Sequence, residues 1–260
     1  MISPMRTLLR SLLVATLCLS SSCETYKRLN FYSEQEEAQL GEQAYSEILQ
    51  GEGKPLITSG ANYEMVVRVG RKIAAASGAN YQWEFKLIDA PDVPNAFCLP
   101  GGKIAVYSGI LPITQNEHAL AAVMGHEVAH ATEHHGAIRM SQGMVTQLGL
   151  TIAAAGVSMA KMSDEQKMGV VAALGAGTQV GLTLPFSRDH ERDADIVGIR
   201  FAIRAGYDPW EAPKLWERMN QLGSSGPGWL STHPDPLERA EKLRQVIPQI
   251  LAEEGKLKNP

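Results

Sequence analysis

The sequence predicts an α+β fold that is mainly helical and carries one small sheet. Apolar residues recur at helical spacing through most of the chain, as they do at Val66, Val69 and Ile73. The period changes between Trp83 and Leu87, where apolar and polar residues alternate as in a half-buried strand. Helix signals therefore lie on both sides of a short strand region, which favours an α+β domain.

Two helices precede the strands. Ser33 and Glu36 form a capping box, in which each side chain bonds the other residue's backbone N–H, and this predicts a helix to about Gln50. The second helix carries the stripe that begins at Val66 and ends near Gly78, because glycine is favoured where a helix stops.

Two further strands are predicted at residues 95–99 and 103–107. Pro100-Gly101-Gly102 lies between them and is typical of a hairpin turn. Thr114 and Glu117 have the spacing of a second capping box and predict the start of a third helix.

The third helix contains the motif His126-Glu127-Val128-Ala129-His130. Residues four apart share a helix face, so His126 and His130 can bind one ion at the roughly 2.0–2.1 Å of a Zn–N bond. Glu127 then lies beside the metal and can take a proton from the attacking water, as in H-E-x-x-H zinc proteases. The alternative is a surface helix that carries these residues by chance. Gly125 costs the helix stability and predicts close packing beside the first ligand.

This helix does not supply a third metal ligand. His134 lies too far along the axis from His126 to share its ion, at about 1.5 Å per residue. His134 and His135 are predicted to form a solvated helix end. A metzincin site is excluded because that motif requires glycine and histidine where this chain has Glu133 and Gly136.

A charged segment at residues 186–195 has two interpretations. It is either a solvated helix start or part of a metal site, since Glu191 and Asp195 lie one turn apart on one face. A carboxylate ligand, with a second carboxylate orienting a ligating histidine, is a known zinc arrangement. The helix that follows is predicted to end at Gly206, and a last helix is predicted at residues 237–253.

Residues 144–182 contain two apolar stretches on either side of a polar segment. Each stretch is short for a membrane span but suits a helical hairpin. We predict a hairpin insertion that packs on the domain or in a dimer. The alternative is a Met-rich surface that contacts a membrane or substrate.

The N-terminus predicts a lipoprotein signal peptide at residues 1–22. Arg6 and Arg10 precede an apolar run at residues 11–19, and small serines lie before Cys23. The serine three positions before Cys23 departs from the usual aliphatic residue, so an ordinary secretory signal is the alternative.

A lipoprotein signal at residues 1–22 also predicts lipidation at Cys23. A tether would then span residues 23–32, before one domain over residues 33–254. Cys18 would leave with the signal peptide and Cys23 would carry lipid, so Cys98 would have no partner for an internal disulfide.

Composition narrows the possible partners. The chain has 44% hydrophobic residues, enough for a substantial core, and a net charge of −4 with no basic block. Nucleic acid is therefore not an expected partner. The sequence has no uninterrupted run of about 20 apolar residues, so a classical membrane span is not expected.

Several motifs together resemble one family of zinc metallopeptidases, which includes the CAAX prenyl endopeptidases, the heat-shock peptidase HtpX and the mitochondrial Oma-type peptidase. The resemblance covers roughly residues 33–254 and is closest to the small bacterial periplasmic lipoprotein members. It rests on the HEVAH motif, Glu191 and Asp195 running on to residues 205–209, Thr232-His233-Pro234 with Arg239 behind it, and Asn95-Ala96-Phe97 before Pro100-Gly101-Gly102.

The resemblance implies a zincin-like domain with one zinc ion per chain. It implies these zinc ligands: His126, His130 and Glu191. It also implies Glu127 as the general base, Asp195 as an outer partner of a ligand, and His233 in a loop near the metal. Two opposed roles remain for His233: it either stabilises the transition-state oxyanion or fills the open metal position and gates the site. A loop histidine with neither role is the third possibility, and we favour the gate.

The expected function is a zinc endopeptidase that cleaves unfolded or misassembled proteins in envelope quality control. Asn95, Ala96 and Phe97 would form an edge strand to which an extended substrate adds. The expected location is the bacterial periplasm, through a lipid anchor that is more consistent with the outer membrane. The alternatives are a chaperone-like assembly factor for outer-membrane proteins, with secondary peptidase activity, and a lipoprotein whose zinc only stabilises the fold.

Overall fold

The computed structural model describes residues 28–146, 186–221, 233 and 235–258. These residues fall into two units. The larger unit comprises residues 33–136 together with the described residues from 186 onward, and the smaller comprises residues 28–32 and 137–146. Cys23, the expected signal peptide and most of the expected hairpin at 144–182 lie outside the described residues.

Seven labelled helices and four strands make up the larger unit as described. The helices are α1 (Glu34–Glu52), α2 (Ala61–Ser77), α3 (Leu111–Thr114), α4 (Glu117–Thr132), α5 (Arg188–Arg204), α6 (Glu211–Gln221) and, at the end, α7 (Pro236–Lys258), with the short α3 only one turn long. The strands are β1 (Leu56–Ile57), β2 (Glu84–Ile88), β3 (Ala96–Leu99) and β4 (Lys103–Tyr107). In the smaller unit, residues 137–146 are helical.

The four strands form one sheet in the order β1-β2-β4-β3. The predicted hairpin of β3 and β4 is confirmed as an antiparallel pair, with Phe97 opposite Ala105. β2 pairs with β4 in parallel, and Phe85 lies opposite Ile104. This order leaves β3 at an edge of the sheet.

Both faces of the sheet are covered. On one face, Ile104 and Val106 join the main core with α2 and α4. On the other face, Ala105 and Tyr107 pack with Tyr45 of α1, whose hydroxyl donates to the Ile104 carbonyl at 3.0 Å. Because both faces are covered, the last two residues of β2 are both buried and the alternation predicted for this strand is incomplete.

The capping box at the start of α1 is confirmed. The Ser33 hydroxyl accepts from the Glu36 N–H, and the Glu36 carboxylate accepts from the Ser33 N–H at 2.8 Å. The helix ends at Glu52, and Gly53 takes a left-handed φ of 59°. Local signals were sufficient here because all the groups that define the helix start lie within one turn.

The capping box predicted for the HEVAH helix is wrong. The N-cap is Asn116, whose side-chain oxygen accepts from the Ala119 N–H at 2.9 Å. Thr114 instead ends α3, and its hydroxyl donates to the Leu111 carbonyl at 2.9 Å. Glu117 forms an ion pair with Arg68 of α2. The helix therefore starts two residues later than a cap at Thr114 would set it.

In the smaller unit, the Phe31 N–H donates to the Ser141 hydroxyl at 2.9 Å, and the Tyr32 hydroxyl lies 3.4 Å from the Met144 sulfur. Across the described part of the chain, no helix has both the length and the apolar character needed to cross a membrane.

Candidate metal centre

Three separate parts of the chain supply the candidate site. α4 carries His126, Glu127 and His130, and all three side chains are buried. The first two turns of α5 carry Glu191 and Asp195, also buried. His233 is 3% exposed and lies shortly before α7. The motif residues and the charged segment that could have been a solvated helix start thus lie together.

A close helix crossing brings α4 and α5 together. A β-carbon at Gly125 would lie 2.7 Å from the Gly198 carbonyl oxygen, and one at Gly198 would lie 2.7 Å from the His126 backbone nitrogen. Neither position has room for a side chain. The close packing predicted from Gly125 is confirmed, and it lets the carboxylates of α5 reach the histidines of α4.

Four side chains point one ligand atom each at a common centre. Nitrogens of His126, His130 and His233 and an oxygen of Glu191 all lie within 4.8 Å of one another. Nε2 of His126 is 3.0 Å from Nε2 of His130 and 3.2 Å from Nδ1 of His233. Oε1 of Glu191 is 2.9 Å from His233 Nδ1 and 3.4 Å from His130 Nε2.

These distances fit one zinc ion. Ligands at 2.0–2.1 Å in a tetrahedron lie about 3.3–3.4 Å apart, close to the spacing of the cluster. The donor set, imidazole nitrogen and carboxylate oxygen, is also one that zinc prefers. The three residues inferred as ligands, His126, His130 and Glu191, are therefore placed together, and His233 occupies a fourth position.

Two of the three imidazoles in the cluster are held in the neutral form that metal binding requires. Burial holds the pKa of His130 well below its ordinary value and lowers the pKa of His233 to about 4, so both imidazoles are neutral at neutral pH. Burial alone would raise the pKa of Glu191, but His233 and the other histidines lower it strongly. Burial and Arg239 lower the pKa of His126, yet Asp195 and Glu191 outweigh them and raise it. The carboxylates thus favour positive charge at the centre of the cluster, which a cation would supply.

Asp195 lies behind the cluster. Its Oδ1 is 3.1 Å from His126 Nδ1, on the side of the ring away from the cluster centre. Arg239 binds the same carboxylate with both arms, at 2.8 Å from Nε and 2.6 Å from Nη2. This pairing lowers the pKa of Asp195 against the effect of burial. The arrangement suits a carboxylate that orients a ligating imidazole.

Arg239 is a buried cation that links the carboxylates. It is 6% exposed, and its Nη1 lies 3.1 Å from Glu191 Oε2. Its guanidinium carbon lies 4.0 Å above the Trp216 ring, a cation–π contact. Sequence reasoning named Arg239 only through the family motif, because no local spacing connects it with Trp216 or Asp195.

Glu127 lies next to the cluster, between Cys98 and His233. Its Oε2 accepts from the Cys98 N–H at 3.3 Å, and its Oε1 lies 3.4 Å from His233 Nε2. Burial raises the pKa of Glu127 to about 8. A carboxyl group with a pKa in this range can accept and release a proton near neutral pH.

The outer edge of β3 faces this carboxylate, since the Cys98 N–H donates to it. The Asn95 carbonyl accepts from the Tyr107 N–H at 3.0 Å, so alternate residues Ala96 and Cys98 point their backbone groups outward. The Asn95 side chain accepts from the outward Ala96 N–H at 2.9 Å. Phe97, by contrast, pairs inward with β4, and its ring contacts Tyr107. Sequence reasoning missed Cys98 at this edge.

The end of α4 differs from the predicted solvated end. His135 is 3% exposed, and its Nδ1 lies 3.0 Å from His130 Nδ1. His134 pairs with the buried Glu37 carboxylate at 3.0 Å. Burial, followed by the nearby His190, lowers the pKa of His135 to about 3. The prediction failed for His135 because His134 takes a left-handed φ of 57°, which breaks the helical phase.

The sequence model of "Peptidase family M48" matches residues 61–247, which include the HEVAH helix, Glu191, His233 and Arg239.

Three relatives illustrate the similarity. The chain is 34% identical to mitochondrial metalloendopeptidase OMA1 of Schizosaccharomyces pombe, over 86% of this chain and 64% of the relative. It is 37% identical to the OMA1 of Arabidopsis thaliana, over 63% of this chain and 31% of the relative. It is 30% identical to the β-barrel assembly-enhancing protease of Escherichia coli, over 82% of this chain and 46% of the relative. The chain thus spans less than two thirds of the length of each of these proteins.

Proposed function

The chain belongs to peptidase family M48, and on that premise we propose that it is a zinc-dependent endopeptidase of exported or membrane-associated proteins, acting in envelope protein quality control. The observation that carries the proposal is the convergence of His126, His130 and Glu191 beside the buried carboxyl group of Glu127. A cluster that only stabilised the fold would not need an acid–base group next to it.

The proposed roles follow from where each group lies. His126, His130 and Glu191 would hold one zinc ion, which would polarise a scissile carbonyl and lower the pKa of a bound water toward about 7. Glu127 accepts the proton of the attacking water and passes it to the leaving amine. Asp195 holds the ring of His126 in place, and Arg239 holds Asp195.

The proposed substrate is an extended segment of an unfolded or misassembled protein. β3 is an edge strand of the described sheet, and its outward Cys98 N–H donates to Glu127, which a pairing substrate would have to displace. A chain that pairs with this edge would run past the proposed metal position. The side chain of Asn95 accepts from the Ala96 N–H and would have to release it when a substrate binds, so Asn95 and Ala96 are proposed substrate contacts. Phe97 is not, because its backbone pairs with β4 and its ring packs on Tyr107.

The experiment that tests the proposal is digestion of an unfolded protein by the zinc-loaded chain, with the Glu127→Gln variant beside it. Cleavage by the wild type alone supports the proposal. Equal cleavage by both would exclude Glu127 as the base, and no cleavage by either would remove the peptidase assignment.

We propose that His233 gates this site. Its Nδ1 lies among the proposed ligand atoms, and its Nε2 lies 3.4 Å from Glu127 Oε1. The imidazole therefore fills the space between the proposed metal position and the base, where the attacking water and the scissile carbonyl would have to be. With His233 bound, the zinc ion would have four protein ligands, as in structural zinc sites, and no open position for the attacking water. His233 therefore has to leave the metal before hydrolysis.

His233→Ala should speed cleavage of an unfolded protein while keeping one zinc per chain. If the closed arrangement is occupied nine tenths of the time, removing the gate raises the rate about 10-fold. Initial rates and zinc content of the purified variant check this, with His118→Ala as the matched control on an exposed histidine. A sharp fall in turnover at full zinc occupancy would favour the oxyanion role instead.

The proposed location is the bacterial periplasm, with a lipid anchor at Cys23 that is more consistent with the outer membrane. The support is the order of Arg6 and Arg10, the apolar run and the small residues before Cys23. The named function of the E. coli relative in β-barrel assembly is consistent with an envelope location, whereas the OMA1 relatives are named as mitochondrial.

Membrane-extracted protein should have the intact mass of a chain that begins at Cys23 and carries acyl groups. Cys23→Ser should lack the acyl mass and leave the membrane fraction, because stable anchoring needs more than one acyl chain and Cys23 would carry all of them. Recovery of a soluble wild-type chain with a free thiol at Cys23 would rule lipidation out.

A second candidate function is assembly of outer-membrane proteins by a chaperone-like activity, with peptidase activity secondary. The name of the E. coli relative favours it. The two functions separate at Glu127, because binding and assembly would survive Glu127→Gln and endopeptidase function would not.

A further inference from the structure

Each histidine of the cluster points one ring nitrogen inward and places the other against a different group. Nδ1 of His126 faces Asp195, and Nε2 of His233 faces Glu127. The outward nitrogen of His130 faces a third group, since its Nδ1 lies 3.0 Å from Nδ1 of His135. His135 is buried, at 3% exposed, and the catalytic roles proposed above do not include it.

The contact between the two imidazoles fixes their tautomers. Two ring nitrogens at hydrogen-bond distance share one proton, so one donates and the other accepts. Nε2 of His130 faces the cluster and needs its lone pair to bind a metal, so the proton lies on Nδ1. Nδ1 of His135 is then the acceptor.

We propose that His135 is a positioning residue that holds His130 in the tautomer and ring orientation needed for zinc binding. This inference rests on the proposed zinc site of His126, His130 and Glu191. It assigns to His130 the kind of outer partner that Asp195 provides for His126, although here the partner is an imidazole.

The backbone turn at the end of α4 brings His135 to this position. In an uninterrupted helix, a residue five positions after His130 would point about 140° away from it. His134 interrupts the helix with a left-handed φ of 57°, and its N–H bonds the Ala131 carbonyl at 3.2 Å. The buried Glu37 carboxylate of α1 binds the His134 ring and holds this turn.

Neighbouring rings further restrict the pair. The His190 ring stacks on His135, with centroids 4.4 Å apart and planes at 17°. Phe186 stacks on His130 at 4.1 Å and 28°. The planes of the two imidazoles meet at 73°, edge to face. Because each ring is stacked on its own neighbour, neither can rotate without losing that stacking contact.

The test compares two substitutions of His135 in the full chain. His135→Phe keeps the ring and its stacking on His190 but removes the acceptor, whereas His135→Asn places an amide oxygen near the position of Nδ1. The zinc dissociation constant is measured by competition with a chromogenic chelator. We expect His135→Phe to weaken zinc binding about 10- to 100-fold, as loss of an outer partner does, and His135→Asn to restore most of the affinity.

Absorption of the Co²⁺-substituted protein gives a second readout, because a rotated His130 changes the ligand field even where metal still binds. His118→Phe is the matched control, the same substitution at an exposed histidine of α4. Should His135→Phe not fold, His135→Leu takes its place with the same expectation.

Wild-type zinc affinity and an unchanged cobalt spectrum in His135→Phe would reduce His135 to core packing and overturn the proposal. Equal weakening in His135→Asn and His135→Phe would also overturn it, because the acceptor would then not matter. A wild-type chain that binds no zinc would refute the proposed function itself, so the two failures are distinguishable.

Discussion

Glu127→Gln should retain about one zinc ion per chain and lose nearly all hydrolysis of an unfolded protein. Glu127 contacts the Cys98 N–H and the outward Nε2 of His233 and supplies no atom to the ligand cluster, so the metal site should survive the change. The amide keeps the size of the side chain but cannot accept the proton of the attacking water. Removing a general base costs about 10²- to 10⁴-fold in rate, so turnover should fall by at least about a hundredfold.

Metal analysis and initial rates of peptide release measure the two expectations separately. Glu133→Gln is the matched control, because it makes the same chemical change at an exposed position just beyond α4 and should keep full activity. Loss of zinc from Glu127→Gln would make Glu127 a ligand, and unchanged turnover would place the base elsewhere.

Elements whose defining bonds are local were predicted well from the sequence. The capping box of α1 and the hairpin of β3 and β4 each depend on residues within a few positions of one another. The start of α4 also depends on local bonds, but its cap lies two residues after the predicted Thr114. Asn116 is the cap because Thr114 already belongs to a separate turn, whose end is set by a left-handed Gln115 at φ 64°.

The ligand set could be predicted only in part, because its members lie on different parts of the chain. His126 and His130 follow from helical spacing, whereas Glu191 lies on another helix and was reached through the family motif. Gly125 indicated that something packs closely, but the sequence contains 24 glycines and does not show that Gly198 is the partner. Only the tertiary crossing settles which carboxylate meets which histidine.

The outer contacts of the site were the least predictable. Arg239 is 113 positions from His126 and 44 from Asp195, and nothing in its local sequence indicates burial between two carboxylates. His135 was misjudged because periodicity assumes an uninterrupted helix, and His134 violates that assumption. A histidine with positive φ is uncommon, so sequence alone favoured the continuous helix.

Glu191→Ala should abolish stoichiometric zinc binding, and Asp195→Ala should only weaken it. Among the described residues, Glu191 is the one carboxylate with an oxygen among the imidazole nitrogens of the cluster, and removing it leaves three imidazoles without an anionic ligand. Asp195 contacts His126 from outside, so its loss should weaken affinity or activity about 10- to 100-fold. Zinc content after gel filtration, together with chelator competition, separates the two outcomes.

Asp193→Ala is the matched control for both variants, since it removes an exposed carboxylate from the same helix between the two positions. Asp195→Ala should also lower the unfolding temperature, because it leaves the buried Arg239 with Glu191 as its remaining carboxylate partner among the described residues. Glu191→Ala with wild-type zinc affinity would mean that His233 serves as a true third ligand. In that case the gate proposed for His233 would fail as well, because a residue needed to hold the metal cannot leave to admit the substrate.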